Sequence, residues 1–176
     1  LATALLAAAA PSLQASSCGD DPAVNALEKA FKADSRNATT AYNLSVAYYN
    51  KQCYDDAVDS FERTAKLVKG DDAQAQDLRF QCYAALGGLY YQAKQDPKEA
   101  ISNFKKALEI HPSDKDSLNG ISMALVKNGQ DDEAADYLRK TILADPRKEW
   151  SVADRYANDD MFDRLPHGWD TARYRI

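Results

Sequence analysis

No run of five or more basic residues occurs in the 176 residues, and the formal net charge is −5 at pH 7. A surface that grips phosphates needs a Lys/Arg surplus or a basic stripe. Nucleic acid is therefore not an expected partner, and neither is an anionic membrane surface. Histidine is nearly missing, with His111 and His167 the only two. Cysteine is scarce as well: Cys18, Cys53 and Cys82 form no C-x-x-C, and no H-x-x-x-H accompanies them. That leaves a metal centre without a ligand set, and no metal or cofactor is expected. The seven glycines build no phosphate-cradling loop, because the densest stretch, "LGGLYY", falls inside a helical pattern. No catalytic constellation appears, so the chain does not read as an enzyme.

Long apolar runs are also lacking. Leu1–Ala10, apolar apart from Thr3, is about half of the roughly 20 residues that a membrane-spanning helix needs. Followed by Pro11 and, near Ala15, the small residues Ala15-Ser16-Ser17, it has the form of a secretory signal's apolar region and cleavage site. The expectation is an exported protein (periplasmic, cell-surface or extracellular), with residues 1–21 a leader and linker. The competing reading is an Ala-rich helix packed on the domain.

What is present is balance: 45% hydrophobic and 28% charged residues, the proportions of a soluble globular chain. It is also repetition. The stretch "EAISNFKKALEIHP" at Glu99–Pro112 returns as "EAADYLRKTILADP" at Glu133–Pro146, 34 residues on. Earlier, Leu44, Tyr48, Ala57 and Phe61 take the places later held by Leu86, Tyr90, Ala100 and Phe104, with one extra residue near Asp96-Pro97. Ile121, Leu125, Ala134 and Leu138 fill them a third time. Steps of three and four residues keep each set on one helical face. The small residues mark where paired helices cross, since larger side chains would hold the axes apart.

This pattern resembles the tetratricopeptide repeat (TPR), an antiparallel pair of helices A and B about 34 residues long. The resemblance spans roughly Ala23–Pro146. It implies an all-α, right-handed solenoid over residues 22–165: a half repeat (22–37), repeats at 38–70, 71–112 and 113–146, and a C-terminal capping helix (147–165). Residues 166–176 form a tail. Helices are expected near 22–34, 38–51, 55–69, 73–94, 97–110, 115–128, 131–144 and 149–158. In the half repeat, Ala23, Leu27 and Ala30 carry the spacing of a helix B, with Asp21 and Pro22 marking its start. Ser45 stands where the family usually has Gly, and Ala41 where it has an aromatic. The acidic pairs Asp20-Asp21, Asp71-Asp72, Asp131-Asp132 and Asp159-Asp160 fall near helix starts, as caps would.

By the same resemblance the chain is a non-catalytic interaction scaffold that binds a protein or peptide segment in its concave groove. Tyr48 and Tyr90 match core positions. The groove registration selects Tyr42, Asn43, Val46, Tyr49 and Asn50 in the first full repeat. It selects Gln81, Tyr91 and Gln92 in the second, and Asn119, Met123 and Lys127 in the third. Family members that clamp a terminal carboxylate carry Lys and Arg here, whereas Lys127 stands nearly alone; the face is neutral, aromatic and amide-rich. The alternative is a self-assembling filament subunit whose apolar N-terminus docks on another copy.

The registration also places Cys53 in the A–B turn of the first full repeat and Cys18 in the matching turn of the half repeat. Such turns lie about 10 Å apart, which the Ser/Gly-rich flank of Cys18 can close into a disulfide. Cys82 falls inside helix A of the next repeat and is expected to remain a buried free thiol. Non-reducing peptide mapping should return a Cys18–Cys53 link; a Cys53–Cys82 link, or three free thiols in oxidised material, would refute it.

Overall fold

Asx side chains start most of the helices, because each supplies an acceptor for the unpaired N–H groups of a first turn. Asp21 accepts from the Ala23 and Val24 amides, and Asn37 from Thr40 at 2.9 Å. Asp72, Asp96 and Asp114 repeat the arrangement on Ala75, Lys98/Glu99 and Ser117. Pro22 and Pro97 follow their caps directly, where a missing N–H costs nothing.

The computed structural model describes residues 21–144, with side chains as far as 141, and within them the chain is helical without a strand. The elements are α1 (Pro22–Ala33), α2 (Ala38–Asn50), α3 (Tyr54–Leu67), α4 (Ala73–Gln92), α5 (Pro97–Ile110), α6 (Lys115–Lys127) and α7 (Asp131–Ala144). Every boundary lies within two residues of the range expected from the repeat pattern. The helix at 149–158, the cap at 147–165, the leader and the tail all fall outside the described residues.

Each A helix is closed by the same turn. The Cys53 amide reaches back to the Tyr48 carbonyl, and the Gln130 amide to that of Leu125, both at 2.9 Å. The residue at the bend takes positive φ: Gln52 (62°), Gln95 (56°) and Gly129 (75°). In the second repeat the closing bond runs from Asp96 to Tyr90, also at 2.9 Å. It spans six residues rather than five, so the extra residue is taken up in the turn.

The helices pair as α2–α3, α4–α5 and α6–α7, and the pairs stack through α3–α4 and α5–α6, with α4 also meeting α6. Ala57, Ala100 and Ala134 lie at the three crossings with no exposed surface. Gly87 in α4 and Gly120 in α6 let the Phe104 ring of α5 wedge between them. A methyl on Gly87 would stand 2.7 Å from that ring, and one on Gly120 closer still. In the first repeat the crossing is hydroxylic: Ser45 Oγ donates to the Ala41 carbonyl at 2.8 Å and lies 3.3 Å from Thr64 Oγ1.

Among the described residues α1 is a helix B without a helix A of its own, as the half repeat implies. Its buried face is Val24 and Phe31 with Leu27 half-buried, whereas Ala23 and Ala30 are exposed. Ala23 and Ala30 stand 34 residues before Ala57 and Thr64, which are wholly buried against α2, the A helix of their own pair. Among the described residues α1 has only the following repeat to pack on, so it buries the face turned that way.

The Phe104 wedge predicts a cost of about 3–5 kcal/mol for Phe104→Ala and about 1–3 kcal/mol for Gly120→Ala or Ala100→Leu. Thermal melts within a degree of wild type for all three would show that the crossing is misplaced.

Candidate functional site

The faces of α2, α4 and α6 carry the residues selected from the sequence, and the structure treats them unequally. Tyr42 is half-buried, with its ring edge-on to Phe61 at 5.9 Å, and it packs with Val46 against the α3–α4 core. It therefore has a structural duty that the sequence pattern did not show. Burial pushes its phenol above the usual range. Tyr91 is half-buried against the α5–α6 core, and Lys127 Nζ sits 5.1 Å from its ring centre. Lys127 also donates to Gln95 Oε1. Asn43, Asn50, Gln81 and Gln92 are exposed, and Asn119 and Met123 half-buried. The lone cation of the groove registration is thus drawn onto an aromatic ring and an amide.

Tyr49 differs from Tyr42 and Tyr91. It is 44% exposed, and beside it stands Tyr54, 38% exposed, with the rings edge-to-face at 6.4 Å. The two tyrosines, with Leu89, Gln92 and Ala93, line a cavity of about 80 Å³ between the A–B turns of the first two full repeats. Sequence reasoning selected Tyr49 and Gln92 but missed Tyr54. Its only signal was its place, the first residue of α3, five positions after Tyr49 near the end of α2.

Tyr48 and Tyr90 hold these faces in position. Tyr48 packs against the cores on either side of it, as does Tyr90. Their hydroxyls donate to carboxylates on the preceding B helix: Tyr48 to Glu28 at 2.7 Å and Tyr90 to Glu62 at 2.9 Å. Burial, reinforced by the bonded Glu62, pushes the Tyr90 phenol up to about 12. The Tyr48 phenol rises for the same two reasons, and the Glu28 carboxyl falls because it accepts that bond. Leu125 takes this place in the third repeat, and Lys105–Glu133 at 2.8 Å links α5 to α7 instead.

The chemistry-bearing side chains elsewhere are tied down. His111 Nε2 lies 2.8 Å from Asp77 and its ring packs edge-on to Phe80, so the N-terminal extension of α4 clasps the end of α5. Cys82 is a fully buried free thiol, pushed up to about 12 by that burial. Cys53, 8% exposed, occupies the N-cap of α3, while Cys18 lies outside the described residues. The described residues contain no group of three metal-ligating side chains and no helix long and apolar enough to cross a membrane.

Helix pairs of this length, stacked in register through small crossing residues, define the class of helical-repeat scaffolds. Tetratricopeptide repeat profiles match residues 36–113 and 91–153, and the chain belongs to that family. A solved structure of YrrB, described as a TPR protein with an unusual peptide-binding site, superposes with a TM-score of 0.62 at 23% identity. That match covers 80% of this chain and 71% of YrrB. MamA (MSR-1) gives 0.58 at 25% identity, over 70% of this chain and 66% of that one. The CTR9 homolog of Arabidopsis thaliana is 26% identical over 106 residues, 60% of this chain but only 9% of that protein.

The raised Tyr90 phenol gives a pH dependence. Its contribution is complete below about pH 10, where the free phenol is still protonated, and is lost as the pH rises towards 12. Tyr90→Phe should lower stability by about 1 kcal/mol at neutral pH, and its melting temperature should converge on that of wild type above about pH 10. A difference that stays constant to pH 12 would contradict the assignment.

Proposed function

We propose that this chain is a non-catalytic scaffold that holds an extended, uncharged or apolar peptide-like segment along the faces of α2, α4 and α6. The observation that carries the reading is the pairing of half-buried Tyr91 with exposed amides on one face, its nearby cation already engaged by the ring and by Gln95. Tyrosine rings give contact area at low entropic cost, and exposed amides pair with a peptide backbone. Peptide binding by YrrB is consistent with this use of the fold.

The non-catalytic part is supported by where the polar groups are spent. The Ser45, Thr64, Ser122 and Thr141 hydroxyls return to backbone carbonyls one turn earlier, and the Cys82 thiol is raised far from the thiolate form. Export remains part of the proposal and rests on the form of Leu1–Ala15. A Cys18–Cys53 bridge fits that setting, and the buried free thiol of Cys82 is in keeping with it. The bridge would close a loop worth about 3–4 kcal/mol in the chain-entropy model.

Selection from a displayed library of random peptides tests the groove. Enriched peptides should be poor in acidic residues and lose at least tenfold in affinity on Tyr91→Ala and Met123→Ala, with melting temperatures little changed. Binders indifferent to both substitutions would refute the groove. A library that enriches nothing, with scattering mass that grows until Leu1–Ala10 is deleted, would favour the self-assembling subunit.

A further inference from the structure

Tyr49 and Tyr54 are the exposed large apolar residues of the described chain, and they stand together over one cavity. Leaving two tyrosines in water side by side forgoes burial worth on the order of 1–2 kcal/mol each, and a paired exposed aromatic patch marks an interaction site. The cavity, about 80 Å³, has room for one branched aliphatic side chain. Its flank is acidic. Asp55 pairs with Lys94, the residue after Ala93 of the cavity wall, and Asp59, one turn further along α3, also acts on Lys94. Two carboxylates therefore face one ammonium beside an apolar hole.

We propose that this cleft docks the chain's own segment Arg173–Ile176, Arg-Tyr-Arg-Ile, intramolecularly. Three observations favour this occupant. Its two arginines complement the net negative flank. Its apolar residues alternate with them, so an extended strand offers Ile or Tyr to the cavity and Arg to the carboxylates. The 32 residues after Ala144 reach about 100 Å when extended, more than the four helix-packing distances of about 10 Å between α7 and α3. The inference rests on the groove reading for Tyr49 and Gln92, which belong to both surfaces. It goes further in naming the cleft and a segment that competes there with outside peptides.

The chain's tryptophans are Trp150 and Trp169, so Trp150→Phe leaves Trp169 as a reporter four residues before Arg173. In that background, acrylamide should quench Trp169 at least twofold more strongly after Tyr54→Ser, after Ala93→Arg, and after the double change Arg173→Glu/Arg175→Glu. Circular dichroism should show unchanged helicity in each. Equal quenching in all four proteins would overturn the proposal. Protection that disappears over a hundredfold dilution would also overturn it, since the occupant would then be another copy's segment. Release by Tyr91→Ala and not by Tyr54→Ser would place the segment in the groove, removing the cleft while leaving the groove reading intact.

Discussion

The axes of α4 and α5 approach each other over Gly87, Ala100 and Ala107, and the spacing of every other element follows from that approach. Side chains of a methyl group or less let the backbones close until Phe104 fills the remaining gap, with Gly87 on one side and Gly120 on the other. The first and third repeats bury Ser45/Thr64 and Ser122/Thr141 at the matching positions. A buried hydroxyl without an acceptor is costly, and each of these four finds the carbonyl one turn earlier: 2.8 Å for Ser45 and Thr64, 2.7 Å for Ser122, 3.0 Å for Thr141. Burial is then nearly free of the penalty for an unpaired polar group. Glycine, serine and threonine at the crossings are different solutions to one steric requirement. Tyr48 and Tyr90 depend on it too, because only at this spacing can each reach a glutamate on the preceding repeat.

The turns translate that spacing into direction. A chain that leaves helix A and enters helix B within three or four residues needs one residue in the left-handed region, where glycine is unstrained and other residues carry a cost of about 1 kcal/mol or more. Gly129 meets the requirement without strain, whereas Gln52 and Gln95 bear it. The bend is kept in every repeat because the closing bonds to Tyr48, Tyr90 and Leu125 satisfy carbonyls at the helix end. The second repeat shows what is held fixed. Its closing bond spans one more residue, yet Phe104 still lands on Gly87, so the turn absorbs the insertion and the crossing does not move.

The sequence made the helices legible because their signals are local and periodic: an Asx cap, an apolar face, a small residue at the crossing. It marked α1 as half a repeat but not the face that α1 buries, because spacing alone cannot say which neighbour a helix has. Ala23 and Ala30 have the period of a crossing face, but Val24 and Phe31 face the partner that is there. The groove was half legible. Registration picks out one face of α2, α4 and α6, but whether a ring on that face is spare depends on side chains arriving from other helices. Phe61 comes from α3 to meet Tyr42, and Lys127 comes from α6 to cover Tyr91. Neither contact follows from spacing within a single helix.

The contrast between Tyr42 and Tyr49 shows how geometry produces an exposed patch from a repeated face. They lie seven residues apart on α2, so both point the same way, two turns removed from each other. Tyr42 is level with the middle of α3, where Phe61 projects. Tyr49 is level with its first turn, where the crossing requires Ala57 and the acidic residues Asp55 and Asp56 point to solvent. No bulky apolar side chain can stand there without forcing the helices apart. The ring of Tyr49 is therefore left to Tyr54, the one residue before the crossing that is free to be large. In the first full repeat, the small residue that closes the helix pair thus leaves a shallow aromatic cleft at its end.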